Sequence, residues 1–125
     1  MKEINRGDVY FCRGSPSAIG SEERKERPVV IVQNNIGNLR SPTVIVAPLT
    51  SNVSRYRYPM QFDVDLPDRL RSRVLCDQIM AVDKSRLLNK IYKLNGWELR
   101  QLDQCLKVSL SLIHISEPTR QEAIS

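Results

Sequence analysis

The sequence lacks the residues that most enzymes use for acid–base and metal chemistry. Its only histidine, His114, lies at the edge of a polar C-terminal tail, so a pair of histidines cannot act as acid and base. Three cysteines, Cys12, Cys76 and Cys105, are far apart and form no CxxC pair, which excludes a disulfide framework and a zinc site. A glycine-rich phosphate loop is also missing. We therefore expect no metal and no cofactor, and any catalysis must depend on arginine, hydroxyl and carboxylate groups.

Long apolar runs are absent as well. No run approaches the roughly 20 residues that a membrane-spanning helix needs, and the N-terminus is polar from its second residue, which is unlike a signal peptide. Hydrophobic content of 41% and charged content of 26% are ordinary for a globular protein. Because the cysteines are odd in number, we expect them to be reduced and buried. These features predict a cytoplasmic protein that does not associate with membranes.

The length of 125 residues fits one domain with its own hydrophobic core. Helical periodicity is lost after His114, and Pro118 cannot continue a helix. We therefore predict a domain over residues 1–114 and a disordered or non-native tail over residues 115–125. The net charge of +5 permits an acidic partner such as nucleic acid, although a merely basic surface explains it equally well.

The most informative stretch is the run Arg27-Pro28-Val29-Val30-Ile31-Val32-Gln33-Asn34. Consecutive β-branched residues favour a strand because their stiff side chains suit a pleated surface. An unbroken apolar run, rather than an alternating one, indicates burial on both faces. We predict a central strand over residues 29–33, with Arg27 held at its mouth.

The remaining pattern predicts several short strands and one terminal helix. Strands are expected over residues 9–12, 43–49, 61–66, 74–82 and 90–94, a helical turn over 83–87, and loops or turns over 14–26, 34–42, 51–59 and 67–73. Asn95 and Glu98 have the spacing of a capping box, and apolar residues then recur at helical spacing over residues 96–113. The fold class is mainly β, a compact barrel or strongly bent sheet with a C-terminal helix.

Arg27 and Thr50 are the candidate catalytic pair. In an antiparallel pair the start of one strand lies beside the end of the next, so the two side chains can meet. A guanidinium suits a phosphoryl group, and a threonine hydroxyl can donate to the same phosphate or relay a proton. The alternative, which the residues alone leave open, is a solvated charge and an ordinary strand-end hydroxyl.

Basic residues concentrate in the predicted loops. The full set of basic residues is Arg24, Lys25, Arg55, Arg57, Arg69, Arg71 and Arg73. Tyr56 and Tyr58 alternate with Arg55 and Arg57 in one of these loops. Such a loop suits single-stranded nucleic acid, since cations follow the backbone and rings stack on bases. Solvated charges with tyrosines folded onto the core are the alternative. Asp77 and Gln78 interrupt an apolar strand, so we expect each to be buried with a partner, either Arg27 or another arginine.

Six motifs follow one another between about Arg6 and Ile113. They are Arg6-Gly7-Asp8-Val9-Tyr10, Gly20-Ser21-Glu22, Arg27 to Asn34, Pro48-Leu49-Thr50, Asp77-Gln78-Ile79 and Asp83-Lys84-Ser85-Arg86-Leu87. With these motifs in this order and spacing, the chain resembles the MazF/PemK toxins of bacterial toxin–antitoxin systems. Two residues depart from the family pattern: Met80 stands where many relatives carry arginine, and Asp77 where glutamate is frequent.

The resemblance implies a small SH3-like (CcdB/PemK-type) β-barrel that works as a homodimer. It further implies a sequence-specific, metal-independent endoribonuclease that cleaves single-stranded RNA, leaving a 2′,3′-cyclic phosphate and a 5′-hydroxyl. A cognate MazE-like antitoxin would lay an acidic segment across the same groove. The family's catalytic residues fall on Arg27 and Thr50, and its substrate contacts on Ile19, Gly20, Ser21, Glu22, Arg55, Asp77 and Gln78.

Two other functions are compatible with such a scaffold. One is a non-catalytic toxin similar to CcdB, which binds DNA gyrase, and the other is a plain RNA-binding barrel. The Arg27 and Thr50 pair favours the nuclease, because a gyrase-binding protein has no need for it.

Overall fold

The computed structural model describes residues 3–14, 26–67 and 71–114. The predicted tail and most of the predicted loop over residues 14–26 lie outside these ranges. Within them the strands are Asp8–Cys12 (β1), Arg27–Ile31 (β2), Thr43–Thr50 (β3), Gln61–Asp65 (β4), Arg71–Leu75 (β5), Met80–Asp83 (β6) and Leu87–Lys93 (β7). The helices are Asn35–Arg40 (α1) and Gly96–Ser109 (α2), with 3-10 turns at Cys76–Gln78 and Lys84–Arg86.

One curled antiparallel sheet organises the described residues. Its strand order is β4-β5-β3-β2-β1-β7, and β6 pairs with β3 outside this path. The long strand β3 therefore pairs with β2 along one edge and with β6 and then β5 along the other. The mainly β fold class with a C-terminal helix is confirmed. Among the described helices, none has the length and apolar character needed to cross a membrane.

The predicted central strand is confirmed, although it runs over Arg27–Ile31 rather than residues 29–33, so Arg27 is its first residue. β2 lies between β1 and β3, and Val29, Val30 and Ile31 are fully buried. Val30 belongs to a core cluster that α2 covers through Leu102, whereas Val29 and Ile31 belong to a second cluster. Burial on both faces explains why this strand has an unbroken apolar run.

All three cysteines are free and buried, as expected from the sequence. Burial raises the pKa of the Cys12 thiol. The hydrogen bond that Cys76 shares with Cys105, together with burial, raises the pKa of Cys76. Because thiolates are the reactive form, Cys12 and Cys76 are packing residues here.

The prediction of a simple turn over residues 34–42 is wrong, because this segment contains α1. The Asn34 side chain accepts a hydrogen bond from the Gly37 backbone nitrogen and caps the helix. Asn38 is buried and donates to the Gln33 carbonyl oxygen at 3.0 Å. A six-residue helix is too short to show an apolar period, so the cap was its only sequence signal.

The predicted single strand over residues 74–82 is also wrong, since the 3-10 turn separates β5 from β6. The Gly7 amide donates to the Ile31 carbonyl oxygen, so the backbone N–H and C=O of Ile31 point towards β1. Its partner Val46 therefore points its backbone N–H and C=O away from β2, towards β6. Because this direction alternates along a strand, the backbone nitrogen and carbonyl of Pro48, two residues on, point to the same edge of β3. Proline has no N–H to donate, so the ladder along this edge is interrupted opposite Pro48.

The capping box of α2 is present in both directions, with Asn95 and Glu98 as predicted. The helix ends at Ser109 rather than at residue 113. Leu110 and Leu112 are 52% and 70% exposed, so continuing the helix would bury little apolar surface. Ser111 then adopts a left-handed conformation with φ of 61°.

A partly buried hydrogen bond joins β7 to α2 and makes stability sensitive to alkaline pH. The Tyr92 hydroxyl donates to Glu98 Oε1 at 2.8 Å. Burial, with this bond and the adjacent carboxylate, raises the pKa of Tyr92 from 10.0 to about 12. Between those values the unfolded chain binds fewer protons than the native one, so stability falls as pH rises.

We expect Tyr92→Phe to be about 1.5 kcal/mol less stable than the wild type at neutral pH, because the bond to a carboxylate is lost. The difference should shrink as pH rises from 10.0 to about 12, since the wild type alone loses this contribution. Urea unfolding of the wild type and Tyr92→Phe, at neutral pH and across this alkaline pH range, measures the difference in the free energy of unfolding. A difference that stays constant with pH would contradict the assignment.

Candidate active site

The structure brings Arg27 and Thr50 to facing positions. In the β2–β3 ladder Val29 pairs with Pro48 and Val30 with Ala47. Continuing this register by two residues places Arg27 opposite Thr50. Directly opposed side chains in an antiparallel pair start about 5 Å apart at Cβ. Both residues are half-buried.

Pro28 explains how the Arg27 guanidinium is anchored. Because the backbone of Ile31 hydrogen-bonds towards β1, alternation along β2 turns the backbone of Pro28 towards β3. In the β2–β3 register, an ordinary residue at this position would donate its N–H to the Leu49 carbonyl oxygen. Proline has no N–H, and Arg27 Nη2 donates to that oxygen instead, at 3.3 Å. Among the described residues the guanidinium has no other hydrogen-bond partner, so its further N–H groups can donate to a ligand.

Thr50 ends β3 and begins the irregular segment over residues 51–59. Its Oγ1 accepts a hydrogen bond from the Asn52 backbone nitrogen at 3.1 Å, and its hydroxyl hydrogen has no acceptor among the described residues. On the other edge of β3, Thr50 pairs with Arg73 of β5. The hydroxyl therefore lies between two arginine-bearing strands.

The segment over residues 51–59 presents its basic and aromatic side chains to solvent. Arg55 is exposed, and no residue that the structure describes forms a hydrogen bond or ion pair with it. Tyr56 and Tyr58 are 56% and 52% exposed, and their rings meet edge to face with centroids 4.7 Å apart. The alternative in which both tyrosines fold onto the core is therefore wrong.

Asp77 and Gln78 lie in the 3-10 turn, which contacts β3, and both are exposed. Asp77 Oδ1 accepts a hydrogen bond from Gln61 Nε2 at 3.3 Å. The expectation that the two are buried, with an arginine as partner, is wrong. Their polarity reflects exposure in a turn, where the sequence had suggested a continuous strand.

Four of the predicted substrate contacts cannot be placed. Ile19, Gly20, Ser21 and Glu22 lie outside the described residues, as do the basic residues Arg24, Lys25 and Arg69. Of the predicted set, the structure therefore places Arg27, Thr50, Arg55, Asp77 and Gln78.

Arg73 is the residue that sequence reasoning assigned wrongly. It was expected in a basic turn, but it lies inside β5 with a side chain only 6% exposed. Its Nε donates to Asp63 Oδ1 at 2.8 Å. Opposite charges at paired positions of neighbouring strands were the available signal, because Asp63 and Arg73 are direct partners in the β4–β5 ladder.

A concave surface with a volume of about 770 Å³ lies elsewhere among the described residues. It is lined by residues 3–5, α1 and the chain around Lys84, and contains none of the predicted site residues. No group of three or more His, Cys, Asp or Glu residues in the described ranges is arranged to hold a metal ion.

Comparison with known proteins gives a family match over nearly all of the folded chain. Residues 5–110 match the family described as PemK-like, MazF-like toxin of type II toxin–antitoxin system. The chain is 40% identical over 113 residues to Endoribonuclease EndoA of Bacillus subtilis (strain 168), which covers 88% of this chain and 97% of that protein.

Solved structures share the fold. An endoribonuclease in complex with its cognate antitoxin from Mycobacterial species superposes with a TM-score of 0.71 at 24% identity, covering 89% of this chain and 98% of the other. MazF (Form-I) from Deinococcus radiodurans gives a TM-score of 0.72 at 20% identity, covering 89% and 99%.

Proposed function

The chain belongs to the PemK-like, MazF-like toxins of type II toxin–antitoxin systems, and we propose that it is an endoribonuclease that cleaves single-stranded RNA. Arg27 and Thr50 flank the phosphate at which the RNA is cut. The observation that carries this proposal is the register of β2 and β3, which sets an anchored guanidinium opposite a hydroxyl. The chain is also 40% identical to a protein named as an endoribonuclease.

The reaction that fits these groups is internal transesterification. The ribose 2′-hydroxyl attacks the adjacent phosphorus, the bond from phosphorus to the 5′-oxygen breaks, and a 2′,3′-cyclic phosphate and a 5′-hydroxyl result. The 2′ proton leaves to a base, and the departing 5′-oxygen takes up a proton. The nucleophile belongs to the substrate, so its proximity lowers the barrier without an activated water molecule or a metal.

Arg27 stabilises the charge that grows on the non-bridging oxygens of the phosphate. The bond to Leu49 holds the guanidinium in place before the substrate arrives. A preorganised donor of this kind contributes about 3–4 kcal/mol to the transition state, by analogy with oxyanion-hole donors. Thr50 donates its hydroxyl hydrogen to the same phosphate or relays a proton.

The RNA extends from this pair across the exposed polar groups around the end of β3. Arg55 supplies a cation for the backbone, and Asp77 and Gln78 offer an acceptor and an amide to base edges. The segment Ile19, Gly20, Ser21 and Glu22 completes the substrate contacts.

The partners follow from the family. We propose that the chain acts in the cytoplasm as a homodimer and is inhibited by a MazE-like antitoxin whose acidic segment lies across the same basic groove. The apolar side chains of Ile36 and Leu39 on α1 are 73% and 74% exposed, and Ile45 on β3 is 39% exposed. Such residues are typical of a protein–protein interface and support the dimer.

The direct test is incubation of the purified protein with a long single-stranded RNA in EDTA. We expect discrete fragments with 5′-hydroxyl and 2′,3′-cyclic phosphate ends. An RNA with 2′-deoxyribose on the 5′ side of a mapped cleavage site should remain intact there, because the nucleophile is gone, while its other sites are still cut.

Four outcomes would overturn this function. RNA that stays intact at high enzyme concentration would remove the nuclease, and binding without cleavage would indicate the plain RNA-binding barrel. Cleavage at the 2′-deoxy position, or fragments with 5′-phosphate ends, would require a different nucleophile. Mapping the cut sites on a mixed-sequence RNA also gives the recognition sequence.

A further inference from the structure

We propose that Arg73 is a positioning residue that holds the segment over residues 51–59 in the shape that binds RNA. The proposal rests on the function above, because it takes single-stranded RNA as the ligand of this segment. Arg73 does not itself reach solvent, since its side chain is 6% exposed. It acts through the backbone of the segment and through Asp63.

One side of the Arg73 guanidinium is occupied by Asp63. Nε donates to Oδ1 at 2.8 Å and Nη2 donates to Oδ2 at 3.3 Å, which is the two-pronged geometry that arginine forms with a carboxylate. Asp63 is 13% exposed, so the pair is nearly dry. A carboxylate held in this way fixes the plane of the guanidinium.

The other side of the guanidinium donates hydrogen bonds to the segment over residues 51–59. Nη1 donates to the Tyr56 carbonyl oxygen at 2.9 Å and to Ser54 Oγ at 3.3 Å. Ser54 Oγ donates in turn to the Tyr56 carbonyl at 2.9 Å. Arg73 therefore binds the residues on either side of Arg55, which is left pointing to solvent.

These hydrogen bonds of Arg73 lie next to the proposed catalytic pair, Arg27 and Thr50. Arg73 is the cross-strand partner of Thr50, and Thr50 accepts the Asn52 amide where the segment begins. The segment is thus fastened at its start by Thr50 and at its middle by Arg73. These two anchors set Arg55 and the Tyr56–Tyr58 ring pair at a constant distance from the reacting phosphate.

The chemistry displayed by the segment suits unpaired bases beside the cleavage site. Tyr56 and Tyr58 expose about half of their surfaces, and Arg55 and Arg57 flank them. Rings of this kind stack on bases without regard to sequence, and the cations follow the phosphates. Because ordering a free loop would cost conformational entropy on binding, a segment ordered in advance binds more tightly.

The decisive variant replaces the ion pair without leaving a buried charge. The double substitution Asp63→Leu with Arg73→Met fills the same space with apolar groups, which proteins often tolerate at such sites. It removes every bond from residue 73 to the segment, and with Asp63 it also removes the 3.9 Å ion pair to Arg57. Arg73→Lys is a second variant that keeps the charge but cannot reach Asp63 and Tyr56 together. Because it keeps Asp63, Arg73→Lys separates the two losses. Arg100→Met, on the exposed face of α2, is the control for losing one positive charge.

The measurements do not all depend on cleavage. Hydrogen exchange of the amides over residues 51–59 in the free protein tests whether Arg73 holds the segment. Fluorescence anisotropy with a labelled single-stranded 2′-deoxy oligonucleotide, which cannot undergo internal attack, tests binding. Steady-state cleavage kinetics and the melting temperature complete the set.

For the double variant we expect a cooperative melt, faster exchange confined to the segment, and about tenfold weaker oligonucleotide binding. KM for RNA should rise about tenfold, with a smaller change in kcat, because the loss is in substrate binding. Arg73→Lys should show a smaller rise of the same kind, and Arg100→Met should match the wild type in exchange.

Unchanged exchange over residues 51–59 would overturn the proposal, and so would unchanged oligonucleotide affinity in either Arg73 variant. If the double variant fails to fold, Arg73→Lys decides the matter by the same two measurements. If the wild type leaves RNA uncut, the proposed function fails, while exchange and oligonucleotide binding still decide the role of Arg73.

Discussion

Replacing Arg27 with alanine is expected to lower kcat for RNA cleavage by about 10²–10³-fold, the loss seen when a preorganised transition-state donor is removed. The guanidinium is fixed beside β3 by its bond to the Leu49 carbonyl oxygen. Without it, the charge on the non-bridging oxygens is stabilised only by Thr50 and water. The loss should fall on kcat more than on KM, because this charge develops in the transition state.

The fold should survive this substitution. Arg27 is the half-buried first residue of β2, and its side chain makes one hydrogen bond to the described residues, of 3.3 Å. We expect the free energy of unfolding to change by about 1 kcal/mol or less. Arg27→Lys restores a charge but not the planar fork, so it should recover little of the rate.

Single-turnover cleavage of one mapped site, measured with saturating protein, gives the comparison. Arg100→Ala removes the same kind of side chain from the exposed surface of α2 and should cleave at the wild-type rate. Undiminished cutting by Arg27→Ala, with its fold intact, would contradict the mechanism.

Much of the fold could be predicted because local chemistry and tertiary structure agree along most of the chain. The β-branched run of β2 predicts a strand buried on both faces, and Asn95 with Glu98 predicts the start of α2. The failures occurred where that agreement breaks. α1 is too short for a period, and the interruption between β5 and β6 depends on Pro48, which lies in a different strand.

The candidate site divides in the same way. The meeting of Arg27 and Thr50 follows from the general geometry of antiparallel strands, so the sequence was enough to propose it. The anchoring of Arg27 by Leu49 required the register, which decides that Pro28 faces β3. The role of Arg73 required the β4–β5 pairing, and a cluster of arginines beside a proline had suggested a solvated turn.

Thr50→Val should lower kcat by about 10²-fold, because the substitution keeps the shape and the β-branching of the side chain and removes only the hydroxyl. The strand end should be retained, since valine is a strong strand former. The Asn52 amide loses its acceptor but is exposed, so water replaces the bond at little cost. Thr43→Val, at the opposite end of the same strand and exposed, is the matched control and should cleave normally.

The double variant Arg27→Ala with Thr50→Val tests whether the two groups act on one phosphate. Groups that stabilise the same transition-state charge lose their effects together, so the double variant should be far more active than the product of the two single losses predicts. Single-turnover rates of the wild type and the three variants complete the cycle. Losses that multiply would mean that Arg27 and Thr50 act independently, and the facing register of β2 and β3 would then have no catalytic meaning.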